Sequence, residues 1–141
     1  MKTYVLNGVN LGRLGTRQTD IYGLTDYASL AEMCIKTGAE LGLDVEVKQT
    51  DDEHELVVWL HRAADEGAAV VLNAGAWSHY SIALRDACAM LNAPLIEVHL
   101  SNIYAREEFR HHSVISGVAS GVICGLGVDG YRLALLHLSS R

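Results

Sequence analysis

The sequence predicts a three-layer α/β fold built on a five-stranded parallel sheet. Three observations predict it. Short apolar runs alternate along the chain with longer stretches of helical periodicity. The run Ala68–Leu72 is apolar throughout, as a strand buried on both faces requires. The run Leu43–Val47 alternates apolar and polar residues, as a half-buried strand near a sheet edge does.

Taken in order, Thr3–Leu6 is the first strand. Thr25 is the expected N-cap of a helix whose Leu30, Met33, Cys34, Thr37 and Leu41 fall at helical spacing, with Gly42 as its stop. After Leu43–Val47, the stretch Asp52–Glu66 is helical, with Leu56, Val57, Leu60 and Ala64 on one face and Gly67 behind it. Ala68–Leu72 is the third strand, Ser78–Leu91 the third helix, Pro94–Leu100 the fourth strand and Ser120–Cys124 the fifth. A last helix runs from Asp129 to Leu138. Strands joined through helices give a parallel sheet covered on both sides. The alternating second strand belongs at an edge and the first and third belong inside, which is the flavodoxin-like order 2-1-3-4-5.

A chain of 141 residues suits one catalytic domain spanning 1–141, with room for a real core. A net charge of −6 speaks against a nucleic-acid partner, because neutralising phosphates needs a basic face. No apolar run reaches the length of a membrane span. Met1–Asn7 is too short and too soon polar for a signal peptide, so a cytoplasmic location is expected. Cys34, Cys88 and Cys124 are far apart and odd in number, and they are expected to act as small buried hydrophobes.

In an open parallel sheet, ligands bind beyond the carboxyl ends of the strands, at the switch point between strands one and three. That edge collects Asn10, Arg13, Arg17, Tyr22, Asn73, His79, Glu97, His99, Ser101, Arg106 and Arg110. Glu97 and His99 stand two apart and therefore share one face of a buried strand. A structural role alone would make that burial costly. Glu107 and Glu108 are expected to be solvated, and His54, His61, His111, His112 and His137 to lie at the surface or its boundary. Trp59 and Trp77 are expected to pack rather than stack on bases.

Two glycine motifs are not nucleotide sites. Gly125–Gly130 fits G-x-G-x-x-G but has neither a following strand nor an acid some twenty residues on, and its glycines suit a tight strand-to-helix turn. The loop Asn7–Gly23 lacks the Gly-Lys-Ser/Thr ending of a P-loop. What that loop carries instead is a tyrosine near arginines. A free tyrosine ionises near pH ~10, so only about one phenol in a thousand is ionised at neutrality. A neighbouring guanidinium favours the phenolate, and Arg17, with Arg13 as a second candidate, stands within reach of Tyr22.

A phenolate base paired with a carboxylate-tuned histidine suits removal of a proton beside a carbonyl and protonation of a leaving hydroxyl. Asn10 would support the enolate oxygen. Lys2, Lys36 and Lys48 all lie away from the strand ends, which leaves no Schiff-base route. No dense set of ligands points to a metal.

The blocks "NGVNLGRLG", "NAGAWSHYSIALRDA", "PLIEVHLSNIYAREEFRHHS" and "GVICGLGVDGYRLAL" closely resemble the type II 3-dehydroquinate dehydratases, and the resemblance covers essentially the whole chain. It implies a flavodoxin-like, cofactor-free and metal-free hydro-lyase that converts 3-dehydroquinate to 3-dehydroshikimate in the shikimate pathway or in quinate catabolism. It also implies a dodecamer built as a tetramer of trimers. By matching positions it assigns Tyr22 as base, Arg17 as the arginine that activates it, Asn10 to the enolate, His99 as general acid and Glu97 as its orienting partner. Asn73, His79, Arg106 and Arg110 would bind substrate, Leu100 and Ser101 would grip its carboxylate, and Asp86 would serve a neighbouring subunit's site.

The chain departs from the family at Val9, where proline is usual, and at Gln18-Thr19, in place of a common Glu-Pro; a looser lid is expected. The competing expectations are a non-catalytic flavodoxin-like module for small anions or signalling, and a flavin carrier. The second is disfavoured by the lack of a hydroxyl-rich loop.

Overall fold

A computed structural model describes residues 1–141. Its sheet has the order β2-β1-β3-β4-β5, with β1 at Lys2–Asn7, β2 at Asp44–Gln49, β3 at Ala69–Asn73, β4 at Leu95–His99 and β5 at Gly121–Cys124. Every neighbouring pair is parallel. The expected strand order and the central placement of β1 and β3 are therefore found. β3 is buried along its whole length, whereas β2 is half-exposed, as its alternating sequence demands at an edge.

Side chains alternate across the strands and build two cores. On one face, Tyr4, Leu6, Val70, Leu72 and Leu95 pack against Leu56, Leu60 and Ala63 of α3 (Glu53–Glu66) and Leu84, Ala87 and Cys88 of α4 (Ile82–Cys88). On the other, Val5, Ala69, Val71, Ile96 and Val98 meet Leu30 and Cys34 of α2 (Tyr27–Glu40) and Ala134, Leu135 and Leu138 of α5 (Asp129–Ser139). This alternation sends Asn7 and Asn73 toward the α2/α5 side, and Glu97 and His99 toward the α3/α4 side. The remaining helix, α1 (Thr19–Tyr22), is a single turn inside the loop after β1.

Helix ends follow their capping residues. Asp26, rather than the expected Thr25, caps α2 by accepting the Ser29 N–H at 2.8 Å. Asp52 caps α3 by accepting the His54 N–H at 3.0 Å, and Gly67 ends that helix with φ +64°. The third helix departs most from expectation. Gly75–His79 forms a 3-10 turn that buries Trp77 and Ser78, and only then does Ser81 accept the Leu84 N–H at 3.1 Å and start α4. A 3-10 turn also spaces apolar residues three apart, so the pattern from Ser78 onward looked like one continuous helix. The stretch around Arg106–Arg110 is a pair of 3-10 turns, 103–105 and 108–110.

Trp77 packs in the core as expected, and Trp59 packs against its edge under the Lys48 ammonium, 5.0 Å from the ring centre. Burial pushes the Cys34 and Cys88 thiols up to about 12, so both are inert. Cys124, at the end of β5, is only half-buried.

The side-by-side exit of the chain from the ends of β1 and β3 leaves no space for a side chain at Gly8. Its N–H donates to the Asn73 carbonyl at 2.8 Å, and a Cβ there would stand 2.5 Å from the Ala74 carbonyl oxygen and 2.8 Å from its carbon. Both obstructing atoms are backbone. Gly8→Ala is therefore expected to lower unfolding stability by about 1–3 kcal/mol, measured by denaturant titration. A loss below about 0.5 kcal/mol, the ordinary range of surface substitutions, would show that the two strands separate freely.

Candidate active site

The carboxyl ends of β1, β3 and β4 surround a cavity of about 140 Å³. It is lined by Asn10, Arg17 and Tyr22 from the loop after β1, by Asn73 and His79 after β3, and by His99, Leu100, Ser101, Arg106 and Arg110 after β4. These are ten of the residues singled out from sequence, and the topology alone brings them together. Arg13 is exposed and does not reach the cavity.

Tyr22 closes α1 and is half-buried. The turn is set by Gln18, which has φ +36° and whose carbonyl accepts the Ile21 and Tyr22 N–H groups at 2.8 and 3.0 Å. Thr19 opens this turn at a position where proline is favoured, so the departure from Glu-Pro falls on the helix start itself. The Arg17 guanidinium lies 4.5 Å from the Tyr22 ring centre and that of Arg106 lies 5.1 Å away. The second cation is thus Arg106, not Arg13. Two guanidinium groups within about 6 Å of one aromatic ring favour electron density on it. Arg106 Nη1 donates to Ser101 Oγ at 3.3 Å, while its Nε is buried without a hydrogen-bond partner.

Asn10 occupies the left-handed region at φ +70°, which asparagine tolerates better than most residues. Its N–H donates to Asp51 Oδ1 at 2.8 Å, and Gln49 Nε2 donates to the same oxygen at 3.1 Å and to the Gly8 carbonyl at 3.3 Å. The end of β2 therefore braces the turn that Val9, lacking proline's constraint, leaves freer.

His79 donates its Nδ1 proton to the His112 carbonyl at 2.9 Å, since a carbonyl can only accept. Nε2 is then an acceptor available to the cavity. Burial pushes the His79 ring below its ordinary range, and His99 and Arg110 add to this, against the opposing bond to His112 and the Glu97 charge. The ring is neutral at physiological pH. Its ring centre lies 6.1 Å from that of His99, with 20° between the ring planes.

Glu97 lies behind His99 and is 1 % exposed. Its Oε2 accepts His99 Nε2 at 2.5 Å. Burial raises the Glu97 carboxyl, but bonds from His99, Ser113 and Ser116 outweigh burial and hold it below the usual carboxylate range. Glu97 is therefore a carboxylate and acceptor only, which places the His99 proton on Nε2 and leaves Nδ1 as the nitrogen that can exchange a proton. Asn73 is held from both ends, with Oδ1 accepting the Gly75 N–H at 3.1 Å and Nδ2 donating to the Tyr131 hydroxyl at 2.9 Å.

Chemically the site offers a tyrosine among cations, a carboxylate-backed histidine and a neutral histidine, with Arg17, Arg106 and Arg110 at the cavity and Glu107 pairing with the last two at 3.8 and 3.1 Å. Nowhere do three or more His, Cys, Asp or Glu side chains gather as a metal site would need, and no helix is long and apolar enough to cross a membrane.

Residues 1–139 match the family described as dehydroquinase class II. The chain belongs to the class II dehydroquinases. A 3-dehydroquinate dehydratase of Salinispora tropica is 73% identical over 141 residues, covering 100% of this chain and 99% of the relative. The crystal structure of type II dehydroquinase from Propionibacterium acnes superposes with TM-score 0.98 at 57% identity, covering 99% of this chain and 97% of that one. That of the enzyme from Butyrivibrio crossotus gives TM-score 0.96 at 41% identity, covering 98% and 97%.

Within this dehydroquinase fold, Asp86 sits exposed on α4, outside the cavity. Three functional neighbours escaped sequence reasoning. Ser113 and Ser116 reach Glu97 from a loop sixteen and nineteen residues away. Tyr131, on α5, donates to Asn7 Oδ1 at 2.7 Å while accepting from Asn73. No local pattern marks any of the three; only the facing of strand residues after alternation could have pointed to them.

Proposed function

We propose that the whole chain, 1–141, acts as one catalytic domain, a type II 3-dehydroquinate dehydratase that eliminates water from 3-dehydroquinate without a cofactor or metal. The observation that carries this reading is that one cavity is lined both by Tyr22, with two guanidinium groups beside its ring, and by His99 on its carboxylate.

Tyr22 removes the proton beside the ketone, and Arg17 and Arg106 offset the negative charge its oxygen must carry. Asn10 stabilises the enolate oxygen, directly or through water. Collapse of the enolate expels the C1 hydroxyl, which takes the proton from His99 Nδ1 and leaves as water; Glu97 supports the charged imidazole before that transfer. Asn73 and neutral His79 hold ring hydroxyls together with Arg110. The substrate carboxylate sits on Leu100 and Ser101, whose hydroxyl already accepts from Arg106 Nη1. The product enone enters the shikimate pathway in the cytoplasm.

Asp86 completes the site of a neighbouring subunit in a dodecamer of four trimers. Supporting this, Ile82 stands one turn before Asp86 on the same face of α4 and is 56% exposed, so an apolar contact and the acid are offered together.

Purified protein given 3-dehydroquinate is expected to generate enone absorbance steadily. Saturable binding without any absorbance change would instead identify a small-anion-binding module.

A further inference from the structure

Two of the three donors on Glu97 come from the loop after Arg110, which the elimination does not otherwise use. Ser116 Oγ donates to Oε1 at 2.5 Å, and Ser113 Oγ donates to Oε2 at 2.6 Å, on the oxygen that also receives His99 Nε2. Ser113 has no choice of direction. Its oxygen already accepts the Ile115 and Ser116 N–H groups at 3.1 and 3.3 Å. A hydroxyl has two lone pairs and one proton, so both pairs are taken and the proton faces Glu97. A protonated Glu97 would place its own hydrogen against one of these donors.

We propose that Ser113 and Ser116 are positioning residues for the proton donor: they hold Glu97 as a carboxylate, so that His99 keeps its proton on Nε2 and presents Nδ1 to the cavity. The inference rests on the reading of His99 as general acid. The same segment sets the other histidine, because the His112 carbonyl takes the Nδ1 proton of His79 at 2.9 Å and the Val114 N–H donates to the Ser78 carbonyl at 2.8 Å. One loop of five residues therefore fixes the tautomers of both rings lining the site.

The groups facing Glu97 are few. His99 lies on its own strand and His79 on the 75–79 turn, with Arg110 beyond it. Cys88 of α4 is near enough to feel the charge, but its thiol is neutral. Arg85 of α4 lies against Gly117 beside Ser116. The flanking register partners Leu72 and Val122 are apolar. None of these replaces the two hydroxyls, and burial alone opposes the charge.

The test is the pH–rate profile of the double variant Ser113→Ala/Ser116→Ala against wild type, with Ser116→Ala alone as a milder form should the pair fold poorly. Without the hydroxyls Glu97 protonates at higher pH. The acid limb of kcat is expected to move up by about 1–2 pH units in the pair and by less in the single variant, with activity returning toward wild type as pH rises. Ser116→Thr, which keeps a hydroxyl, retains the wild-type limb. A profile lowered equally at every pH would overturn the proposal, because that is what a merely structural role produces. On the same samples, the Glu97 side-chain carboxyl is titrated by carbon NMR, which needs no turnover. If the wild type proves inactive, the reading of the activity falls, while the titration still decides the clamp: an upward shift in the variant supports it, and an unchanged midpoint overturns it.

Discussion

Replacing Tyr22 with phenylalanine is expected to lower kcat by about 10²–10⁴-fold, the usual contribution of a positioned acid or base. The ring, its packing and its two guanidinium neighbours at 4.5 and 5.1 Å all survive the change; only the hydroxyl is lost. Substrate affinity should therefore stay within about tenfold, since the residues assigned to hold the substrate's hydroxyls and carboxylate are untouched. Steady-state kinetics together with direct binding to the variant separates these effects. A kcat within about tenfold of wild type would remove Tyr22 as the base and leave the arginines as carboxylate binders alone.

His99→Ala is expected to produce a loss of similar size in kcat, about 10²–10⁴-fold, by removing the group that protonates the leaving hydroxyl. It also strips one of three donors from a carboxylate that is 1 % exposed. Leaving a buried charge less satisfied costs about 1–3 kcal/mol, so the variant is also expected to unfold earlier. The two effects separate by pH. Glu97 is held below its ordinary range in the folded protein, and such a group contributes stability that is present above its unfolded pKa and lost as pH falls through the folded one. The stability difference between wild type and variant should accordingly be full at neutral pH and shrink on acidification. Thermal unfolding measured across that range checks it. An unchanged kcat would transfer the acid role to another residue or to water.

The two variants probe two parts of the cavity lining, and the parts differ in how the chain builds them. Tyr22 and Arg17 belong to one short loop, and their proximity was visible from spacing alone. Glu97 and His99 were readable as a pair because residues two apart on a strand share a face. The second guanidinium on Tyr22 was misjudged. Arg13 lies nearer in sequence, yet its 3-10 turn leaves it exposed, and Arg106 arrives from beyond β4. Local spacing predicts neighbours within one segment and is silent about which distant segment folds over it. The helix expected from Ser78 failed for a related reason: burial of Trp77 and capture of the Leu84 N–H by Ser81 decided where α4 begins.

By itself the sequence determined the alternation of strands and helices, the buried and edge characters of β3 and β2, and hence the strand order that gathers the site residues at one sheet edge. Those are matters of hydrophobic period, legible one segment at a time. Tertiary structure alone decided the partners: Arg106 on Tyr22, Ser113 and Ser116 on Glu97, and Tyr131 between Asn7 and Asn73. Each is a hydrogen bond or charge contact between segments far apart in the chain. Such contacts depend on where buried polar groups find donors after the cores have packed, and no local pattern encodes that.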